Sequence, residues 1–230
     1  MGQGDPDRQH QAGLRLIVRE AGVETRFEEV ITTRQRLRDL SRQPSQRAST
    51  KVIDHVDDIC RRFIAASPLV IVASRGADGR LELSPKGDPA GFVAVLDDKT
   101  LAIPDRPGNH RLDTFENLLT HPQVALFFMI PGNGDTLRIS GTGRIVRDSA
   151  LQARLAINGK ENNLVLIVTV EEAFMHCPKC MIRSKLWSPE HWPDRSSVPS
   201  LAEAIVAHAK TTETVKDVQA IIDAGTARLY

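Results

Sequence analysis

Residues 123–147, QVALFFMIPGNGDTLRISGTGRIVR, contain the pattern that decides the fold class. Residues 123–130 form an apolar segment of strand length, and a glycine-rich turn follows at residues 131–135. Over residues 136–147 apolar and polar side chains alternate, which is typical of an antiparallel strand with one face in water. The stretch therefore predicts two antiparallel strands joined by a turn.

Further strand patterns lie on both sides of this pair. They cover residues 69–74, 91–96, 100–103 and 164–170, with another strand starting at 81–83. Several are joined by turns of hairpin length, and between them lie only two short helical patterns, at 112–119 and 149–156. A parallel sheet needs a crossover helix after nearly every strand. We therefore predict a mainly β, α+β fold: an antiparallel barrel of about seven strands with helices packed outside.

The segments before and after the predicted barrel have helical sequence patterns. We predict an N-terminal helical extension over residues 1–48, a barrel domain over 49–192 and a C-terminal helical tail over 193–230. Within the extension, one helix lies around residues 14–18 and another starts at the N-cap Thr33. Residues 42–50 read as a loop, and a helix over 52–63 ends before Pro68. The tail holds helices at 201–209 and 215–222, the second closed by Gly225.

Composition excludes several classes of function. Thirty Lys and Arg against 29 Asp and Glu leave a net charge of +1, so no strong field draws the chain to nucleic acid or an anionic membrane. Aromatic residues, at 4%, are too few for base-stacking platforms. No apolar run reaches the ~18 residues of a membrane span, and no signal-peptide core is present. We expect a soluble, cytoplasmic protein with no nucleic-acid or membrane partner.

The loop over residues 104–111, PDRPGNHR, is the most informative candidate site. It leaves a strand and enters a helix, whose first amides are unpaired and carry partial positive charge. Arg106, Asn109 and Arg111 would complete a cradle for a phosphate or another dianion. The alternative is a surface loop whose arginines face water. Neither a P-loop nor a Rossmann pattern is present.

A second candidate is Lys86, in the sequence SPKGDP at residues 84–89. Because proline cannot donate to a ladder, strand pairing is predicted to break here and to leave Ser84 and Lys86 at an edge or bend. Lys86 could then bind a phosphate, or could simply be solvated. Trp187 follows basic residues and could cover a planar anionic ligand, or could be a packing residue.

The three cysteines offer weaker signals. Cys177 and Cys180 form a CxxC motif, which can be a structural, redox or metal-binding pair. A tetrahedral zinc site needs two further ligands, and no second motif supplies them. Cys60 lies on an apolar helix face and is expected in the core. An odd number of cysteines makes a disulfide framework improbable, and we predict no metal site.

Taken together, residues 84–145, SPKGDPAGFVAVLDDKTLAIPDRPGNHRLDTFENLLTHPQVALFFMIPGNGDTLRISGTGRI, strongly resemble the pyridoxamine 5′-phosphate oxidase-like flavoproteins. The resemblance covers roughly residues 31–192 and is to the subgroup known only for FMN binding, rather than to the true pyridoxamine phosphate oxidases. It implies a split β-barrel and a homodimer with FMN in two clefts at the subunit interface.

The resemblance also implies which residues hold the cofactor. The phosphate and ribityl chain would be bound at three places. The end of one strand would contribute Ser84, Pro85, Lys86 and Gly87. The loop after the paired strand would contribute Ile103, Pro104, Arg106, Asn109 and Arg111, and the start of the next helix would contribute Thr114. The neighbouring subunit would close the flavin ring with Thr136, Arg138 and Trp187.

The function implied is an FMN-dependent oxidoreductase that passes electrons from NAD(P)H to oxygen or a small organic acceptor. True pyridoxamine phosphate oxidases carry an Arg-x-hydrophobic₃-Lys strand and a Ser-Arg-Lys loop, whereas residues 83–86 and 108–111 here read LSPK and GNHR. Oxidation of pyridoxamine phosphate is therefore not expected. The alternatives are a non-catalytic flavin sensor or carrier, or a split barrel that binds haem or deazaflavin. No catalytic side chain is predicted, because the flavin carries the electron chemistry.

Overall fold

The computed structural model describes residues 17–20 and 23–230 and divides the chain into two compact units, up to Thr50 and from Lys51 to Tyr230. The first unit contains an antiparallel hairpin of β1 (Ile17–Glu20) and β2 (Val23–Arg26), followed by helices α1 (Arg34–Leu40) and α2 (Gln46–Thr50). The predicted N-cap is confirmed, since the Thr33 hydroxyl accepts from the Arg36 amide at 3.2 Å.

Two predictions for the first unit were wrong. The predicted helix around residues 14–18 is a strand where the structure describes it, at residues 17 and 18; residues 14–16 lie outside the described part. Ile17, Val18 and Val23 are β-branched, which favours paired strands. The predicted loop over 42–50 is correct for residues 42–45 and wrong for residues 46–50, which form α2; the Ala48 amide donates to the Ser45 carbonyl at the start of this helix.

The second unit is built on one antiparallel sheet. Its strands are β3 (Leu69–Arg75), β4 (Leu81–Gly87), β5 (Ala94–Val95), β6 (Thr100–Pro104), β7 (Gln123–Met129), β8 (Thr136–Val146) and β9 (Val165–His176). They lie in the order β4-β3-β7-β8-β9-β6-β5, and every pair is antiparallel. The predicted fold class, a mainly β antiparallel sheet with flanking helices, is confirmed.

The second unit also contains helices, of which α3 and α4 pack against the sheet. They are α3 (Asp58–Ala66), α4 (Asp113–Thr120), α5 (Ser149–Arg154), α6 (Lys179–Ser184), α7 (Leu201–Ala209) and α8 (Val215–Thr226), with short 3₁₀ turns at Pro189–His191 and Arg195–Ser197. The core lies between the sheet and the helices: Phe63 and Ile64 of α3 and Phe115 of α4 join buried strand residues such as Phe128 and Leu137. Among the described residues, no helix is both long enough and apolar enough to cross a membrane.

The two longest strands, β8 and β9, join the halves of the sheet. The first part of β8 pairs with β7 on one side, and the whole strand pairs with β9 on the other. A bulge between Ser140 and Gly141 interrupts the β8–β9 register. A Cβ on Gly141 would lie 1.9 Å from the Thr169 carbonyl oxygen, so only glycine permits this close approach of the strands.

Long-range contacts changed several predicted boundaries. Helix α3 begins at Asp58 rather than at residue 52, because Ile53 pairs with Ala173 and the Asp57 carboxylate caps the helix by accepting from the Cys60 amide at 2.8 Å. β5 is limited to residues 94 and 95, and β9 continues six residues beyond its predicted end. Helix α8 continues through Gly225, which is not in the left-handed conformation that ends helices.

The predicted interruption at Pro85 was also wrong. β4 pairs with β3 without a break from Leu81 to Gly87, and Pro85 lies opposite Ile71. β4 is an edge strand of the described sheet, so the missing N–H of Pro85 can face the unpaired side. The prediction that Ser84 and Lys86 lie at an edge is confirmed.

Candidate functional site

A cleft of about 670 Å³ opens between the edge strand β4 and the loop that follows β6. Residues 105–112 and the start of α4 form one wall, and residues 161–163 form another. Seven of the predicted cofactor residues line it: Ser84, Pro85, Lys86, Arg106, Asn109, Arg111 and Thr114. The two stretches that sequence analysis selected separately therefore meet in one cavity, and its size is within the usual range for small-molecule sites.

The curvature of the sheet brings these stretches together. β4 is at one end of the strand order and β6 is next to the other end, yet residues of β4 and the residues after β6 line the same cleft. Two ion pairs span the gap: Lys86 Nζ lies 3.7 Å from Asp105 Oδ1, and Arg106 Nε lies 2.6 Å from Asp88 Oδ2. Charged side chains thus connect the β4 end of the cleft to the loop after β6. Among the described strands, β4 and β6 are not paired through their backbones.

The α4 end of the cleft presents backbone amides. His110 and Leu112 have φ angles of 58° and 57°, which turn the chain sharply before the helix. Leu112 provides no side-chain cap, and the Phe115 amide donates to the Leu112 carbonyl at 2.8 Å, so among the described residues only the Asp113 and Thr114 amides of the first turn lack a partner. Thr114 lies buried in this turn. The Asn109 side chain accepts from the Arg111 amide at 3.1 Å and so stabilises the loop.

Each cation in the cleft already has a carboxylate partner. The pairs are Lys86 with Asp105, Arg106 with Asp88, and Arg111 with Asp113. Two further carboxylates, Glu82 and Glu161, also line the cavity. An anionic ligand would therefore have to exchange with carboxylates rather than neutralise free charges.

The three pairs differ in how easily they would exchange. Arg111 is 68% exposed, and its hydrogen bond with Asp113 raises the pKa of the guanidinium; such surface pairs contribute little to stability. The Lys86–Asp105 distance of 3.7 Å is loose, and Lys86 Nζ also lies 5.5 Å from the centre of the Phe115 ring. Lys86 and Arg111 are thus the cations most readily available to a ligand.

Arg106 is held more firmly. Its Nε donates to Asp88, whose side chain is 2% exposed, and its Nη2 donates to the Leu155 carbonyl at 2.9 Å. The Tyr230 hydroxyl donates to the other oxygen of Asp88 at 2.6 Å, and this hydrogen bond raises the pKa of Tyr230. This network joins β4, the loop after β6 and the end of the chain, so Arg106 has a structural role in addition to any contact with a ligand.

Asn162 is a functional candidate that sequence analysis missed. The residue is part of the cleft wall although it is only 4% exposed, and its Nδ2 donates to the Leu164 carbonyl at 2.7 Å. Its Oδ1 is buried, and no partner for it is found in the part of the chain that the structure describes. A buried acceptor without a donor is costly, so this atom would favour a ligand with a hydroxyl or N–H group. An asparagine in a polar segment gives no sequence signal for this.

Six predicted site residues do not line the cleft of the same chain: Gly87, Ile103, Pro104, Thr136, Arg138 and Trp187. Ile103 and Pro104 are buried in β6, and Gly87 ends β4. Thr136 is also buried, and its Oγ1 has no hydrogen-bond partner among the described residues. Arg138 lies with its guanidinium 5.4 Å from the centre of the Phe174 ring. The Trp187 indole donates to the Asn133 carbonyl at 2.8 Å.

Several solved structures are similar to part of this chain. Among solved structures, HupZ from Group A Streptococcus shares 19% identity, covering 52% of this chain and 93% of that one with a TM-score of 0.44. A Clostridium acetobutylicum protein related to general stress protein 26 shares 18% identity, covering 50% and 84% with a TM-score of 0.38. HutZ, the heme storage protein from Vibrio cholerae, shares 12%, covering 53% and 94% with a TM-score of 0.37.

No curated protein matches the chain. The family model described as pyridoxamine 5′-phosphate oxidase matches residues 56–177, just over half of the sequence and all seven strands of the sheet in the second unit. On this match, the chain belongs to the pyridoxamine 5′-phosphate oxidase family.

Proposed function

We propose that this protein binds FMN in the cleft beside β4 and, as a homodimer, transfers electrons from NAD(P)H to oxygen or a small organic acceptor. The observation that carries the proposal is the convergence of Lys86, Arg111 and the first two amides of α4 on one cavity. Cationic side chains combined with helix amides favour a phosphate group. Family membership supports the choice of a flavin.

The residues present fit FMN at two points. A phosphate ester carries nearly two negative charges at neutral pH, and it can replace Asp113 and Asp105 as the partner of Arg111 and Lys86 because those pairs are exposed or loose. The Oδ1 of Asn162, which has no partner among the described residues, would accept a hydrogen bond from a hydroxyl or N–H group of the same ligand. FMN contains both kinds of group, on its ribityl chain and on its ring.

When bound, the flavin supplies the hydride and electron chemistry. The side chains of this protein have the tasks of binding and orientation: Lys86 and Arg111 hold the phosphate, and Asn162 orients a donor group. Arg106 keeps β4 and the loop after β6 together through Asp88. In the homodimer we assign Thr136, Arg138 and Trp187 to the cleft of the neighbouring subunit. The buried Thr136 Oγ1 supports this assignment, because this hydroxyl has no hydrogen-bond partner among the described residues and could pair with either a donor or an acceptor.

Flavin binding is tested by titrating the purified protein with FMN and following the quenching of flavin fluorescence. Lys86→Ala should weaken binding by about 1.5–3 kcal/mol, the range for hydrogen bonds to charged groups, which is about 10- to 150-fold in Kd. Arg80→Ala is the matched control: this residue is exposed, pairs with Asp78 at the β3–β4 turn and is not part of the cavity wall. Colourless protein that fails to bind added FMN, or equal affinities of the wild type and Lys86→Ala, would overturn the assignment.

Electron transfer is tested separately by anaerobic stopped-flow mixing of the FMN-loaded protein with NADH or NADPH. Loss of the oxidised-flavin absorbance followed by its return on exposure to oxygen is the expected result. An FMN-binding protein that neither nucleotide reduces would instead be a flavin carrier or sensor. That outcome would refute the oxidoreductase part of the proposal and leave the binding site intact.

A further inference from the structure

The CxxC motif is a chemically reactive feature that the proposed flavin site does not use. Cys177 directly follows β9, and Cys180 is the second residue of α6. Both are free and exposed, and neither is part of the cleft wall. Within residues 17–20 and 23–230 there is no cluster of three or more side chains that could hold a metal ion. The pair is therefore accessible to small molecules in solution.

The backbone holds the two cysteines in a turn. Pro178 has φ −76° and ψ 2°, and Lys179 is the first residue of α6, so residues 177–180 resemble a type I turn. In such a turn the first and fourth Cα atoms lie within about 7 Å, which overlaps the range of about 4.4–6.8 Å found in disulfides. The Pro178 carbonyl accepts from the Ile182 amide at 2.9 Å, which fixes the turn to the helix.

The turn also rests on a neighbouring loop. Gly134, between β7 and β8, packs so closely against it that a Cβ on Gly134 would lie 2.5 Å from the Cβ of Pro178. At the other end of α6, the Trp187 indole donates to the Asn133 carbonyl of the same loop. The backbone of the two cysteines is therefore held by packing and hydrogen bonds to the loop between β7 and β8. This lowers the conformational entropy that is lost when a disulfide joins them.

We propose that Cys177 and Cys180 form a reversible dithiol–disulfide redox site that exchanges electrons with low-molecular-weight disulfides. The thiolate of one cysteine attacks a small disulfide, forms a mixed disulfide and releases one small thiolate. The thiolate of the second cysteine then attacks the sulfur of the first, forms the Cys177–Cys180 bond and releases the second thiolate. The two protons lost by the protein thiols are taken up by the released thiolates. Two protein thiols are oxidised and one small disulfide is reduced to two thiols.

The third cysteine provides an internal control. Cys60 is 3% exposed in α3, and burial together with its hydrogen bond to Asp57 raises the pKa of its thiol to about 12. Because the thiolate is the reactive form, Cys60 should not react with the same disulfide in the folded protein. The chain thus contains an exposed pair and an inert thiol of the same chemical type.

The test is incubation of the purified full chain with oxidised glutathione, followed by alkylation and mass spectrometry. We expect the intact mass to fall by two hydrogen atoms before alkylation, two fewer alkyl groups to be added than to the reduced protein, a cross-link within the peptide that contains residues 177–180, and full reversal by dithiothreitol. Cys180→Ser should stop at a glutathione adduct on Cys177, and Cys177→Ser at an adduct on Cys180. Cys60→Ser should behave as the wild type.

Three results would overturn the proposal: no disulfide at any glutathione ratio, a disulfide that links only separate chains, or a product that includes Cys60 in the folded protein. The single-cysteine variants change exposed side chains, so circular dichroism should show that they remain folded. No flavin is needed in this experiment, and its outcome is therefore independent of the proposed function.

Discussion

Replacing Arg106 by alanine should destabilise the second unit strongly. The change removes the ion pair with Asp88, whose side chain is 2% exposed, and leaves the Tyr230 hydroxyl as a neighbouring donor to that carboxylate. It also removes the donor to the Leu155 carbonyl. Removing one partner of a buried pair costs about 3–5 kcal/mol, and we take about 3 kcal/mol because the Tyr230 hydrogen bond remains.

Urea unfolding followed by tryptophan fluorescence measures this loss, since Trp187 and Trp192 both lie in the second unit. With a denaturant slope of about 2 kcal/mol/M, the unfolding midpoint should fall by about 1.5 M. Arg111→Ala is the control: it removes a largely exposed arginine paired with Asp113 and should leave the midpoint essentially unchanged.

A double variant separates loss of the ion pair from simple loss of packing. Asp88→Asn combined with Arg106→Ala removes the uncompensated buried charge, so the double variant should be more stable than Arg106→Ala alone. The reasoning is refuted if Arg106→Ala changes the free energy of unfolding by less than about 0.5 kcal/mol, the usual range of surface substitutions. It is equally refuted if the double variant is no more stable than the single one.

The remaining predictions concern the sheet, a helix and a histidine. Gly141→Ala should destabilise the fold by about 3 kcal/mol, because its Cβ would overlap the Thr169 carbonyl; a variant as stable as the wild type in urea would contradict the bulge geometry. Gly225→Ala, inside α8 where no described atom outside the helix's own backbone lies within 4 Å of the added Cβ, should instead raise stability by about 0.5–1 kcal/mol in the same assay. Burial, together with neighbouring cations, lowers the pKa of His176 below its ordinary 6.5. Just below pH 6.5 the unfolded chain therefore binds more protons than the folded protein, so the free energy of unfolding should fall as the pH drops through that range. His176→Gln should reduce the dependence of the urea midpoint on pH in the same range.

Local patterns predicted most of the sheet and several helix ends. Residues 123–147 read as a strand, a turn and an alternating strand, and β7 and β8 follow that pattern almost residue for residue. The sequence also predicted the N-cap at Thr33, because a hydroxyl that accepts from an amide three residues later is a short-range interaction. The cations of the cleft were also readable, because a loop that enters a helix with two arginines is a local feature.

Long-range contacts decided what the sequence could not show. Residues 52–57 have a helical pattern, yet Ile53 pairs with Ala173 and the helix starts later. In the cleft, the sequence predicted that Arg106 is a cation of the site, but it did not predict the ion pair of Arg106 with Asp88. Nor did it predict the hydrogen bond from Tyr230 to Asp88, because these two residues are 142 positions apart in the chain. Asn162 gave no signal, since an unpartnered acceptor exists only once burial has removed its water.

The amino-acid sequence by itself determined the antiparallel class of this protein, most of its strands and the charged residues of its cleft. Backbone propensity, alternation and capping act over a few residues, so they can be read along the chain. The tertiary structure alone decided which cation is held in a buried network, which cations can exchange their carboxylate partner for a ligand, and which cysteines are exposed. Those properties depend on burial and on partners from distant segments, which exist only after the sheet has curved and the chain has packed.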